Sequence, residues 1–168
     1  LENAIYPVIT DTVESYYVGA GDGTVVYYDS SPNTWDNTHD ALTGTGADYT
    51  STNNQVGCGN LNPEIYIERY FFPTDTSGLP DTAVISAATL NLYIQGKASG
   101  DNDGDDWTNV VGQTTQAGTS SLVTADYDQC GAVNNPTEGA TRIDIDNITT
   151  SAYNAWTFNA TGRGWISL

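Results

Sequence analysis

The sequence predicts an all-β protein, an antiparallel β-sandwich of jelly-roll type with one short helix near residues 149–156. Three observations carry this prediction. The run 65–72, IYIERYFF, consists largely of the β-branched and aromatic residues that suit a pleated, half-buried surface. The run 88–94 alternates Ala88, Leu90, Leu92 and Ile94 with Thr89, Asn91 and Tyr93, the period of a strand with one face on a core and one in water. Between the two runs, Pro73, the polar cluster 74–78 and Leu79-Pro80-Asp81 stop any helix and remove ladder donors, so the connection has to pass over a sheet edge.

The remaining elements follow in order. Residues 1–18, LENAIYPVITDTVESYYV, hold apolar and aromatic side chains without a helical stripe, and Pro7 demotes them to an extended arm or edge strand. The chain therefore divides into this arm and one domain over residues 19–168, a length ample for a single core. GAGDG at 19–23 is a turn and TVVYY at 24–28 a strand. The polar region 29–62 is too long for a structureless connection, and Trp35 and Cys58 are its expected anchors. A short strand is expected near 108–113, and Ile143 and Ile145, alternating with charged residues, mark a half-buried strand at 142–146. Ala152, Tyr153 and Trp156 stand at helical spacing with Asn147 or Thr149 as cap, and residues 165–168 read as the start of a last strand.

The central stretch also carries a family resemblance. Phe71, Phe72, Asp75, Thr76, Ser77, Leu79, Pro80, Val84, Ile85, Ser86, Ala88, Thr89, Leu90, Leu92 and Tyr93 form an aromatic strand ending in F-x-x-D-T-S, a short L-P, and then V-I-S-x-A-T-L-x-L-Y. This pattern resembles the DNRLRE domains, β-sandwich modules similar to carbohydrate-binding modules in secreted and cell-surface proteins of bacteria and archaea. The segment from Ile143 to Leu168 more weakly resembles the closing part of such modules, where a helical turn precedes the last strands. The resemblance implies a fold and carries no catalytic residues. It also implies a further strand after residue 168, so the domain is expected to lack one strand of its own.

Composition narrows the function classes. Four Lys and Arg stand against 21 acidic residues, a formal charge of −17, which repels a phosphate backbone or an anionic membrane surface. Nucleic acid is excluded as a partner. No stretch approaches the roughly 20 apolar residues of a membrane span, so no membrane insertion is expected. Scarce Lys, abundant Thr, Asn, Gly and Tyr, and a chain without Met are similar to mature exported proteins, placing it outside the cell or on its surface. In that compartment Cys58 and Cys130, with no second Cys or His nearby to build a metal site, are expected to form one disulfide.

The sharpest local motif is Asp101-Asn102-Asp103-Gly104-Asp105-Asp106, in which oxygen ligands surround a glycine-permitted turn. Such a loop suits Ca²⁺, and Asp101, Asp103, Asp105 and Asp106 are its candidate ligands. It is no EF-hand, because Gly104 at loop position six would put Ser99 at position one and Val110 at position twelve; Asp126 or Asp128 would complete the set. Trp35 and Trp107 are candidates for stacking on a sugar, alongside Tyr27, Tyr28 and Tyr49. Asn147 and Asn159 begin acceptor sequons for N-glycosylation. His39 is the single histidine and lacks a nucleophile signature, and Glu14, Glu64, Glu68 and Glu138 offer no ranked carboxylate pair, so no enzyme is expected.

The expected function is therefore a non-catalytic structural subunit of an extracellular fibre or surface assembly. It would polymerise by strand exchange through its N-terminal arm, with Ile5, Val8 and Ile9 as the polymer contact. The alternative is a carbohydrate-binding module of a larger secreted enzyme or adhesin.

Overall fold

The computed structural model describes residues 13–28, 33–61, 64–98, 106–113, 120–130 and 135–166. Its strands are β1 (Gly23–Tyr28), β2 (Gly46–Asp48), β3 (Gly57–Asn60), β4 (Ile65–Phe71), β5 (Thr89–Ile94), β6 (Trp107–Thr108), β7 (Ile143–Asp144) and β8 (Ala152–Thr157). Two short helices, α1 (Trp35–His39) and α2 (Ala160–Arg163), and two 3₁₀ turns at Thr124–Asp128 and Ile145–Asn147 complete the described elements. The protein is all-β and its sheets are antiparallel. One sheet runs in the order β2-β1-β4-β3, and β5 pairs with β8 and β6 with β7. No helix among the described residues is long and apolar enough to cross a membrane.

Two apolar clusters account for the pairing. In the four-stranded sheet Val25, Ile67 and Phe71 share one face by register, and Leu122 and Tyr127 from the 3₁₀ segment close over them. Val110, Ala140, Ile148 and Trp156 form the second cluster, against which Phe72, Leu90, Leu92 and Ile94 pack. Phe71 and Phe72 are neighbours in sequence and serve one cluster each.

Several expectations change. The segment expected to be helical at 149–156 is instead largely β8, whose outward positions Tyr153, Ala155 and Thr157 are exposed while Trp156 is buried. The reason is packing: Trp156 fills the second cluster and the chain gains a ladder with β5, from Thr89 opposite Thr157 to Ile94 opposite Ala152. Ser151 makes the reversal into this strand at φ 55°, a left-handed conformation. The helical turn comes later, in α2, where the Asn159 side chain accepts from Gly162 N. Trp165 is not in a strand: its ring covers Gly139, where an added Cβ would stand 2.0 Å from the indole. Residues 167 and 168 lie outside the described residues.

The described part of the region 29–62, residues 33–61, is held by other anchors than expected. Trp35 is 47% exposed and Cys58 is exposed, whereas Thr38 is fully buried. Asn33 ties this region to β4: its Nδ2 donates to Thr38 Oγ1 and Ile65 O, both at 2.8 Å, and its Oδ1 accepts from Ile65 N at 2.7 Å. The strand expected at 108–113 shrinks to β6 and an isolated bridge between Val111 and Glu138. The strand expected at 142–146 ends at Asp144, whose Oδ1 accepts from Asp146 N and starts a 3₁₀ turn. Of the expected arm, residues 1–12 lie outside the described residues, and Val18 makes an isolated antiparallel bridge with Thr74.

Candidate functional site

Ile5, Val8 and Ile9, with Asp101, Asp103 and Asp105, lie outside the described residues. Asp106 is described; its carbonyl accepts from Ile145 N at 2.9 Å. Among the described residues no three His, Cys, Asp or Glu side chains converge on a metal position. Asp126, an expected additional ligand, is 1% exposed and accepts from Val123 N at 2.8 Å, within the 3₁₀ segment. Cys58 and Cys130 are both thiols in the structure, and the expected disulfide is not formed there. Cys58 nevertheless pairs with Ile67 and so shares the face on which Tyr127 packs. Cys130 follows the 3₁₀ turn that carries Tyr127.

Of the candidate stacking residues, Trp35 and Trp107 each have one ring face occupied. Trp35 stacks on His39 with centroids 5.5 Å apart, and the Arg142 guanidinium lies 3.6 Å from the Trp107 ring centre. Asn147 is exposed at the end of its 3₁₀ turn. Asn159 is committed as a cap, and its Nδ2 donates to Glu138 O at 2.9 Å.

All four Lys and Arg side chains bond to other groups of the chain, Lys97 and Arg142 at its surface. Arg69 Nη2 donates to His39 O at 2.9 Å, Nη1 donates to Tyr127 O, and the guanidinium lies over the Tyr127 ring. Lys97 Nζ donates to Ile145 O and Asp146 O, both at 2.8 Å. Arg142 pairs with Glu138, which holds that carboxyl below its usual range, and Arg163 donates to Phe158 O.

Two surfaces remain. The first is the outer edge of β5. Phe158 N donates to Ala88 O and Ser151 N to Ile94 O, so the even-numbered residues of this strand turn their backbone groups toward β8. Those of Thr89, Asn91 and Tyr93 therefore point away, and β5 has no second partner strand among the described residues. The edges at β2 and β3 are shorter, three and four residues against six. Beside the open edge, Tyr93 and Tyr153 meet edge to face at 5.4 Å and are 55% and 73% exposed.

The second surface is the face of the four-stranded sheet opposite Tyr127. Register lines up Gly46, Val26, Glu68 and Gly57 in one row across all four strands. The neighbouring row is Tyr28, Tyr66 and Gly59. The Tyr66 ring lies across Gly59, where a Cβ would come within 2.6 Å of it, whereas nothing lies within 4 Å of a Cβ at Gly57. The first row is therefore low at both ends, and a cleft of about 490 Å³ opens over its Gly46, Val26 and Glu68, lined also by Thr45, Gln55 and Leu61. Tyr28 Oη donates to Glu64 Oε2 at 2.7 Å, which raises the tyrosine pKa, and burial raises that of Glu68. Of these residues only Tyr28 stands among the sequence candidates for a sugar. The signal for the rest was period two: Tyr66 and Glu68, like Gly57 and Gly59, are two apart in a strand and share a face.

Fold and surfaces together define an antiparallel all-β protein whose strand β5 is paired on one side only among the described residues, and whose four-stranded sheet carries a cleft on one face. No protein family matches the chain, nor does any curated protein or solved structure.

Proposed function

We propose that this chain is a non-catalytic structural subunit of an extracellular fibre or surface assembly, a jelly-roll-type sandwich that polymerises by strand exchange. The observation that carries the reading is the outer six-residue edge of β5, which has no partner strand among the described residues and is set beside the apolar cluster of Leu90, Leu92, Ile94 and Trp156. Two strands alone are marginally stable in water and gain from a third. The occupant is residues 1–10 of a neighbouring copy, with Ile5, Val8 and Ile9 as apolar anchors. Ten extended residues reach roughly 33 Å, enough to cover an edge of about 20 Å. Pro7, which donates no hydrogen bond, is tolerated in an added outer strand. Such a contact joins unlike surfaces, so it propagates as a filament. The acidic, Lys-poor composition and the similarity of residues 71–93 to DNRLRE modules support the extracellular setting.

Electron microscopy and sedimentation of three chains test the proposal: the full sequence, one lacking residues 1–10, and one carrying Asn91→Pro. The substitution removes an outward N–H of β5 without touching its ladder to β8. Both variants should remain folded and monomeric where the full sequence forms fibres. Fibres that assemble normally from either variant overturn strand exchange through this edge.

A further inference from the structure

The low row across the four-stranded sheet has features of a groove for a chain-like ligand. At the usual strand separation it runs about 14 Å from β2 to β3. Gly46 and Gly57 leave both ends without a side chain, so a polymer can enter at one sheet edge and leave at the other. Val26 gives an apolar floor, Tyr28 and Tyr66 form one wall, and Glu68 rises from the floor. An apolar surface with a few fixed polar groups is the usual composition of a small-molecule site. Glu68 offers acceptor oxygens to a ligand hydroxyl, and the side chains of Thr45, Gln55 and Tyr66 in the same lining can both donate and accept. All four cations of the chain are held elsewhere, so nothing in the row compensates an anionic ligand.

We infer that this row binds a neutral polysaccharide, with the Tyr28 and Tyr66 rings against the sugar faces and Glu68 accepting from sugar hydroxyls. The site is distinct from Trp35 and Trp107, and it stands or falls independently of fibre assembly through β5. In an assembly, it would face outward from the sheet and fasten the material to a glycan.

Affinity electrophoresis and calorimetry on the full chain test this, using soluble mixed-linkage β-glucan, xyloglucan and galactomannan as neutral probes, with polygalacturonate and chitosan as anionic and cationic ones. Saturable binding is expected to at least one neutral probe and to neither charged one. Gly57→Leu places a side chain in open space at the mouth of the row and should weaken binding at least tenfold with an unchanged melting temperature. Glu68→Gln keeps the shape, removes the charged acceptor and should weaken it about tenfold. Failure to bind every neutral probe overturns the inference, as does binding that survives both substitutions. Binding to chitosan alone also overturns it and marks the row as a cation site.

Discussion

Tyr127 is the side chain through which the long connection 29–62, the 3₁₀ turn and β4 are tied together. It is 0% exposed, its Oη donates to Thr38 O at 2.7 Å, and its ring lies 3.9 Å beneath the Arg69 guanidinium. Tyr127→Phe keeps the ring and removes only the hydroxyl. The Thr38 carbonyl then loses its donor in a fully buried residue, at a cost of about 1–3 kcal/mol. For a chain of this size each kcal/mol is worth roughly 2–4 °C, so the melting temperature should fall by about 2–12 °C. Tyr127→Ala also opens a cavity, costing roughly 3–5 kcal/mol. Calorimetry measures both, and hydrogen exchange locates the loss: the Thr38 and Asp40 amides, bonded to Thr34 O and Asp36 O in α1, should exchange faster in Tyr127→Phe. Wild-type stability in the Phe variant, or a loss without faster exchange at those amides, would refute this account of the tie. The hydroxyl also gives a pH signature. Burial pushes the Tyr127 pKa up to about 12, so the folded state holds this proton more tightly than the unfolded chain. Its contribution is complete below the ordinary tyrosine pKa near 10 and disappears as pH rises through about 12, a loss from which the Phe variant is exempt.

Two further outcomes are expected. Oxidation with glutathione disulfide should join Cys58 to Cys130, closing a loop of roughly 70 residues and adding about 4 kcal/mol of stability; two alkylatable thiols remaining after oxidation would count against the bond. Ca²⁺ at the 101–106 loop, at a hundredfold excess over its dissociation constant, should add about 2.7 kcal/mol, and an equal melting temperature in excess EGTA would exclude the site.

The alternation in 88–94 and the aromatic run in 65–72 announced β5 and β4, because the period of two is a property of neighbouring residues and needs no partner to be read. Their partners were another matter. β5 pairs with β8 and β4 with β1 and β3, choices made by which apolar faces fit together across long stretches of chain. The segment 152–157 shows the same competition: its residues carry a helical and an extended pattern together, and only burial of Trp156 beside Val110 and Ile148 decides for the strand. The cleft followed the same rule. Gly46, Gly57 and Gly59 sit in segments whose sequence reads as loop, and their meaning arises once register sets them beside Val26, Glu68 and Tyr66. The charge balance, by contrast, was legible from composition alone, because net charge is a sum that no fold alters. Which carbonyls, carboxylate and rings engage the four cations, and hence that none of them faces the cleft, depended on side chains brought together from distant positions.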